Sequence, residues 1–199
     1  MLRTRTNWLS LCLCLCVAGC AVSTQITNTA RSSVEQKLLV RALERALNVL
    51  DASEFKDKSV AVEFYGLTPD KDFAREFFIA WLQKQRVRIS PSPTTQVQLR
   101  LKVFATVLAV DRGQSFIGSP AFIVPVVGLT VPEIPLFKDV SHKGDVEIKI
   151  SATDAETGEF VAESAPAAGK ANHDDYTILI VFHFTHTDLE EPKWDLGSS

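Results

Sequence analysis

The chain has 199 residues, with 21 basic against 24 acidic side chains and a formal net charge of −3. No Lys/Arg-rich run with interleaved aromatics occurs, which argues against nucleic acid as a partner. The four cysteines are Cys12, Cys14, Cys16 and Cys20; nothing after residue 20 can form a disulfide, a thiolate metal site or a cysteine nucleophile.

Arg3 and Arg5 precede a short apolar run from Trp8 to Val17. Such a run suits the secretion machinery and falls short of the roughly 20 apolar residues that span a bilayer. Val17-Ala18-Gly19-Cys20 resembles the lipobox of bacterial lipoprotein precursors. The resemblance implies diacylglyceryl transfer to the Cys20 thiol, cleavage before Cys20 and acylation of the new amine. Residues 1–19 are then a signal peptide, and the mature chain has 180 residues with 19 basic against 24 acidic side chains. One acyl chain holds weakly at about 0.8 kcal/mol per buried CH₂, whereas two or three on one residue hold firmly. Ala21 stands where, in a Gram-negative sorting rule, aspartate would retain a lipoprotein in the inner membrane. The resemblance therefore implies an outer-membrane, periplasm-facing protein held in the bilayer through acylated Cys20.

Residues 20–31, small and polar after the cysteine, read as a lipidated tether. A single domain over 32–189 and a flexible tail over 190–199 complete the expected organisation, with no repeat and no second domain boundary. The domain is large enough for a sizeable core.

From Ser33 to about Leu50, Leu38, Leu39, Ala42, Leu43, Ala46 and Leu47 recur at helical steps, and Ser32 with Glu35 has capping-box spacing. This amphipathic helix packs on a sheet or lies on the membrane. Lys58 to Tyr65 alternates as a strand with Val60, Val62 and Phe64 on the core face. Thr68 is placed to cap a second helix, Asp70 to Gln85, with Pro69 in its first turn. Its stripe of Phe73, Phe77, Trp81 and neighbouring Ala74, Phe78, Leu82 is expected to meet the sheet. Val87 and Ile89 begin a strand ended by Pro91 and Pro93, which permits a right-handed βαβ crossover.

Gln96 to Arg100 alternates cleanly, with Val97, Leu99, Leu101 and Val103 inward. From Phe104 to Val110 polarity drops, so that part is expected to be covered on both faces or to meet a neighbour. Asp145 to Thr153 and Glu159 to Glu163 form a hairpin closed by Asp154-Ala155-Glu156-Thr157-Gly158, where carboxylates serve local hydrogen bonding. Tyr176 to Phe184 is apolar on both parities and is expected to be one interior strand.

Phe116 to Phe137 is strongly apolar yet carries Pro120, Pro125, Pro132 and Pro135. The prolines rule out a helix and are expected to interrupt any long ladder. Two readings stay open for this segment. It is a loop covering the sheet, or a surface of Phe116, Phe122, Ile123, Val126, Val127 and Leu129 that meets another subunit or the membrane.

Catalytic and cofactor patterns are few. Ala168-Gly169-Lys170 lacks the upstream glycine and downstream hydroxyl of a phosphate loop, and no Gly-x-Ser-x-Gly elbow occurs. His183 and His186 with Asp188, together with His173-Asp174-Asp175, supply metal-ligand types, but residues three apart on a strand face opposite sides. No catalytic residue, metal or cofactor is expected.

Ser33–Leu50, Ser59–Tyr65, Asp70–Gln85 and Asp154 with Thr157-Gly158 follow a lipobox and tether. In this order they resemble small outer-membrane lipoproteins with a CsgG-like α/β domain. In that group such domains serve envelope assembly or secretion, and in the curli-secretion lipoprotein they form a ring with a membrane-inserting barrel. This chain departs from the pore-forming case: two long unbroken amphipathic hairpins are not expected from so proline-rich a 116–137 segment. The expected fold is α+β: one mainly antiparallel twisted sheet with two principal helices packed on one face. The expected function is a non-catalytic structural, assembly or adaptor lipoprotein with a protein partner or homo-oligomeric contact. The alternative is a periplasmic small-ligand-binding lipoprotein with a pocket beneath residues 116–137.

Overall fold

The computed structural model describes residues 31–90, 96–126 and 128–189. The signal segment, Cys20, the tether to residue 30, Val127 and the tail from 190 onward lie outside the described residues, as do Pro91 and Pro93. The chain divides into two compact units. A helix unit comprises Arg31–Asp111, Lys143–Asn172 and the residues from Asp188, and a strand unit comprises Arg112–His142 and His173–Thr187.

In the helix unit, helix α1 (Ser33–Val49) starts where the capping box predicts. The Glu35 N–H donates to Ser32 Oγ at 3.3 Å, and the Ser32 N–H donates to Glu35 Oε2 at 2.8 Å. Its stripe from Leu38 to Leu47 is buried. It packs on a sheet, not on a bilayer, and so closely that two strands carry glycine beneath it. A Cβ on Gly144 would stand 2.7 Å from the Leu38 carbonyl oxygen, and one on Gly169 would collide with Ala42 O and Ala46 N. After a single 3-10 turn (Ser53–Phe55) come strand β1 (Ser59–Gly66), helix α2 (Lys71–Lys84) and strand β2 (Arg88–Ile89). β1 and β2 pair in parallel, as a crossover through α2 requires.

Thr68 does not cap α2. The N-cap is Asp70, whose carboxylate is drawn to Arg31 Nη2 at 2.6 Å and makes no capping bond. Thr68 Oγ1 is buried with no hydrogen-bond partner among the described residues. Of the two neighbouring rows on α2, Ala74, Phe78 and Leu82 are buried, while Phe73 is 52% exposed.

Strand β3 (Leu99–Ser119) also runs parallel to β1, from Val60↔Leu99 to Gly66↔Ala105. The remaining strands are β4 (Phe122–Val124), β5 (Leu129–Val131), β6 (Ile134–Asp154), β7 (Phe160–Glu163), β8 (Ala167–Ile178) and β9 (Phe182–Thr187). The main sheet has the order β2–β1–β3–β6–β8–β9, with β7 paired to β6, and β4–β5 form a separate two-stranded ribbon. The fold is thus mixed α/β and strand-rich, with two α-helices among the described residues. Its sheet is mixed and not mainly antiparallel, because α2 returns the chain to the starting end of β1 and the strands on both sides of β1 run its way.

Within the helix unit Leu99, Leu101, Val103 and Ala105 point inward. Phe104 is not covered but lies on the other side, partly exposed and stacked on Tyr65 with ring centroids 5.4 Å apart. The β6–β7 hairpin forms as expected: Asp154 Oδ1 accepts the N–H groups of Glu156 and Thr157, both at 2.9 Å, and Gly158 takes φ 73°.

Candidate functional site

Among the described residues the strand unit contains no buried hydrophobic side chain; every one belongs to the helix unit. Most of the exposed large hydrophobics among the described residues belong to the strand unit.

The prolines of 116–137 do not prevent long strands. Pro120 follows β3, Pro125 turns β4 into β5, Pro132 precedes β6, and Pro135 is the second residue of β6. They sit where a backbone N–H is not needed by a ladder, so β3 and β6 each reach 21 residues. In this unit they run antiparallel. The Gly113 Cβ position is 3.9 Å from the Ser141 Cβ, and a Cβ on Gly118 would collide with the Ile134 carbonyl. Gly118 has φ 155°, and that close approach makes glycine necessary there.

Tyr176 to Phe184 is not one interior strand. β8 ends at Ile178, Leu179–Val181 turns, and β9 returns antiparallel with Tyr176↔Phe184 and Ile178↔Phe182 in register. Leu179 and Ile180 both take positive φ, 48° and 70°, a conformation that Ile seldom adopts. The Leu179 N–H donates to the Leu136 carbonyl oxygen at 2.9 Å and ties the turn to β6. β9 stands last in the strand order, an outer strand and not an inner one.

The β8–β9 ribbon is two-faced. On one face Tyr176 stacks on Phe184, centroids 5.0 Å apart, beside Ile178 and Phe182. The burial of Tyr176 and the nearby Asp174 and Asp139 carboxylates hold its phenol above the usual value. On the other face Thr177 Oγ1 meets His183 Nδ1 at 3.0 Å, and His173 bridges Thr187 at 3.0 Å and Asp175 at 3.2 Å. Polar pairs therefore satisfy one face, while on the aromatic face Phe182 and Phe184 are exposed and Tyr176 and Ile178 are half-buried.

The expected partner surface divides in the same way. Phe122, Ile123, Val126 and Leu129 are exposed, Val126 at 92%, Phe116 is half-buried, and Val127 lies outside the described residues. These side chains cover no core, so the covering-loop reading of 116–137 fails. Phe182 and Phe184, at 62% and 52% exposure, join the surface although their sequence reads as interior strand. The only charged side chain within 116–137 is Glu133, which is paired with Lys138 at 2.7 Å.

The metal-ligand types do not converge. β9 runs through Thr187, so His183 and His186 face opposite sides, and Asp188 accepts from Arg45 and from the Asn172 N–H. Among the described residues no group of three or more His, Cys, Asp or Glu could hold a metal ion. Cavities of a few hundred Å³ occur in the helix unit, lined from α1, α2, the turns after them, the β7–β8 connection and Leu189, and none of these is lined by a residue of 116–137. Among the described residues no helix is long and apolar enough to cross a membrane. No protein-family model matches the chain, and no curated protein matches it.

Proposed function

We propose that this protein is a non-catalytic, lipid-anchored component of the bacterial outer membrane, facing the periplasm, whose strand unit docks a protein partner or further copies of the chain. The observation that supports docking is the mismatch inside the strand unit, a hydrogen-bonded sheet with an aromatic face and, among the described residues, no buried side chain. Contiguous exposed apolar surface beyond a few hundred Å² is rare on monomers and marks interaction sites. A protein suits this surface better than hydrocarbon does. The sheet is open at β9, and in hydrocarbon each unpaired backbone group costs several kcal/mol, whereas a partner strand can extend an edge. Both helices contribute to one core, and Arg100, Lys102 and Thr106 on the opposite parity of β3 are exposed. This supports the finer reading in which α1 and α2 cover one face of the sheet.

A photo-crosslinking side chain placed in living cells at Phe122 or Phe182 should capture a discrete protein, including another copy of the chain. The same probe at Leu67, 95% exposed in the helix unit, should capture none. Lipid adducts alone, or equal capture at all three positions, would retire the docking reading. The anchor rests on Val17-Ala18-Gly19-Cys20 and has its own test, an intact mass carrying the acyl addition that Cys20→Ala abolishes.

A further inference from the structure

The C-terminal turns of α1 and α2 border an open cavity of about 520 Å³, which adjoins a second of about 390 Å³. Lys56, Lys84 and Arg86 line the first, Phe77 and Ala80 line the second, and Trp81 lines both. Three cations meet here in a chain whose net charge is −3. None of them is in an ion pair among the described residues. Two carboxylates also stand on the linings, Asp51 on the first and Glu44 on the second. Asp51 accepts the Ser53 N–H at 2.9 Å, and Glu44 pairs with Arg41 at 3.3 Å.

Arg86 is held at this cavity in an unfavourable conformation. α2 ends with the Arg86 N–H on Gln83 O at 3.0 Å and the Val87 N–H on Leu82 O at 3.1 Å, the paired bonds of a Schellman end. Arg86 therefore sits at φ 64°, where glycine is the usual residue. Its carbonyl accepts the N–H of Asp57, itself at φ 60°, at 3.1 Å, and Arg88 Nη2 donates to the Asp57 carbonyl at 2.8 Å. The segment after Lys56 and the end of α2 are thus clamped together. Left-handed non-glycine residues persist only where their surroundings over-determine them, and they collect at ligand clamps.

We infer that this cavity binds an anionic amphiphile, its phosphate or carboxylate head on Lys56, Lys84 and Arg86 and its apolar part along Phe77, Ala80 and Trp81. The volumes lie in the range of about 300–1,000 Å³ typical of small-ligand sites. Glu44 is neutralised by Arg41, and the charge of Asp51 offsets one of the three cations, so the lining keeps a net positive charge that complements an anionic head. This inference is independent of the docking role of the strand unit.

The test is calorimetric titration of the full chain in phosphatidylcholine nanodiscs, with empty discs as the blank. The probes are octyl phosphate, octyl glucoside and inorganic phosphate, all below micellar concentration. Octyl phosphate should bind one-to-one and at least about tenfold tighter than either of the others. Arg86→Gly should weaken it by about tenfold without lowering Tm, because glycine fits the left-handed position, and Lys84→Gln should weaken it as well. The inference is overturned if octyl phosphate binds no tighter than octyl glucoside or inorganic phosphate, or if both variants bind it as the parent does.

Discussion

The helix unit and the strand unit use the same alternating strands to opposite ends. In the helix unit each inward position has something to meet: Val60, Leu101, Val103, Ile148 and Ile150 are buried against α1 and α2. In the strand unit β3, β6 and β8 continue with no helix among that unit's described residues to cover them, and Phe122, Phe182 and Phe184 stay exposed. One region is stabilised by its own core. The other keeps its shape through ladders, cross-strand polar pairs and the turn bond to Leu136. The difference teaches that apolar composition alone does not mark a core; burial needs a second layer.

The largest expected effect comes from placing one charge in each region. Leu43→Asp puts an unpaired carboxylate at a fully buried site on α1 and should cost about 4–5 kcal/mol, a large part of the stability of an ordinary domain. Ile123→Asp, at 64% exposure in the strand unit, should shift stability by no more than about 0.5 kcal/mol. It should instead abolish crosslinking to the partner. Denaturant unfolding of the two variants checks the contrast, and equal destabilisation would mean that the strand unit has a core of its own.

A smaller effect sharpens the comparison with no charge at all. Gly169→Ala forces a methyl group into the backbone of α1 at Ala42 and Ala46 and should cost about 1–3 kcal/mol through displacement of the helix. Gly113→Ala in the strand unit meets only the Ser141 Cβ at 3.9 Å, ordinary contact, and should be close to neutral. Thermal unfolding of the pair would separate close helix–strand packing from open sheet.

What was legible in the sequence follows the same division. α1 could be read to within a residue because its stripe and its capping box agree, and the Asp154–Gly158 turn was readable from its turn chemistry. On α2 the two apolar rows, Phe73-Phe77-Trp81 and Ala74-Phe78-Leu82, lie side by side, and periodicity cannot choose between them. The turn at Leu179–Val181 carries no Gly, Asn, Asp or Pro. Ile180 at φ 70° contradicts local preference, so the ribbon reads as one strand whose pattern puts Phe182 and Phe184 inside. The prolines of 116–137 were legible as breaks, yet they fall between strands and spare the long ladders. Lys56 is far in sequence from Lys84 and Arg86 and carries no joint signal with them, because only the Schellman end and the Asp57 clamp bring them together.

The smallest effect concerns those two turns. The Thr157 and Glu156 N–H groups hold the Asp154 carboxyl below its ordinary value, so the folded chain favours the ionised form. A depressed folded pKa means that the stabilisation is fully present above the unfolded value near 4 and is lost as pH falls through the folded value. Asp154→Ala should therefore lower Tm slightly at pH 7, and the gap to the parent should close as the pH is taken below about 4. The turn at Leu179–Val181 holds no ionisable side chain, so the protection of its amides against hydrogen exchange, corrected for the intrinsic rate, should not follow that titration. A Tm gap that widens on acidification would show that Asp154 acts in the turn through something other than its carboxylate accepting the two N–H groups.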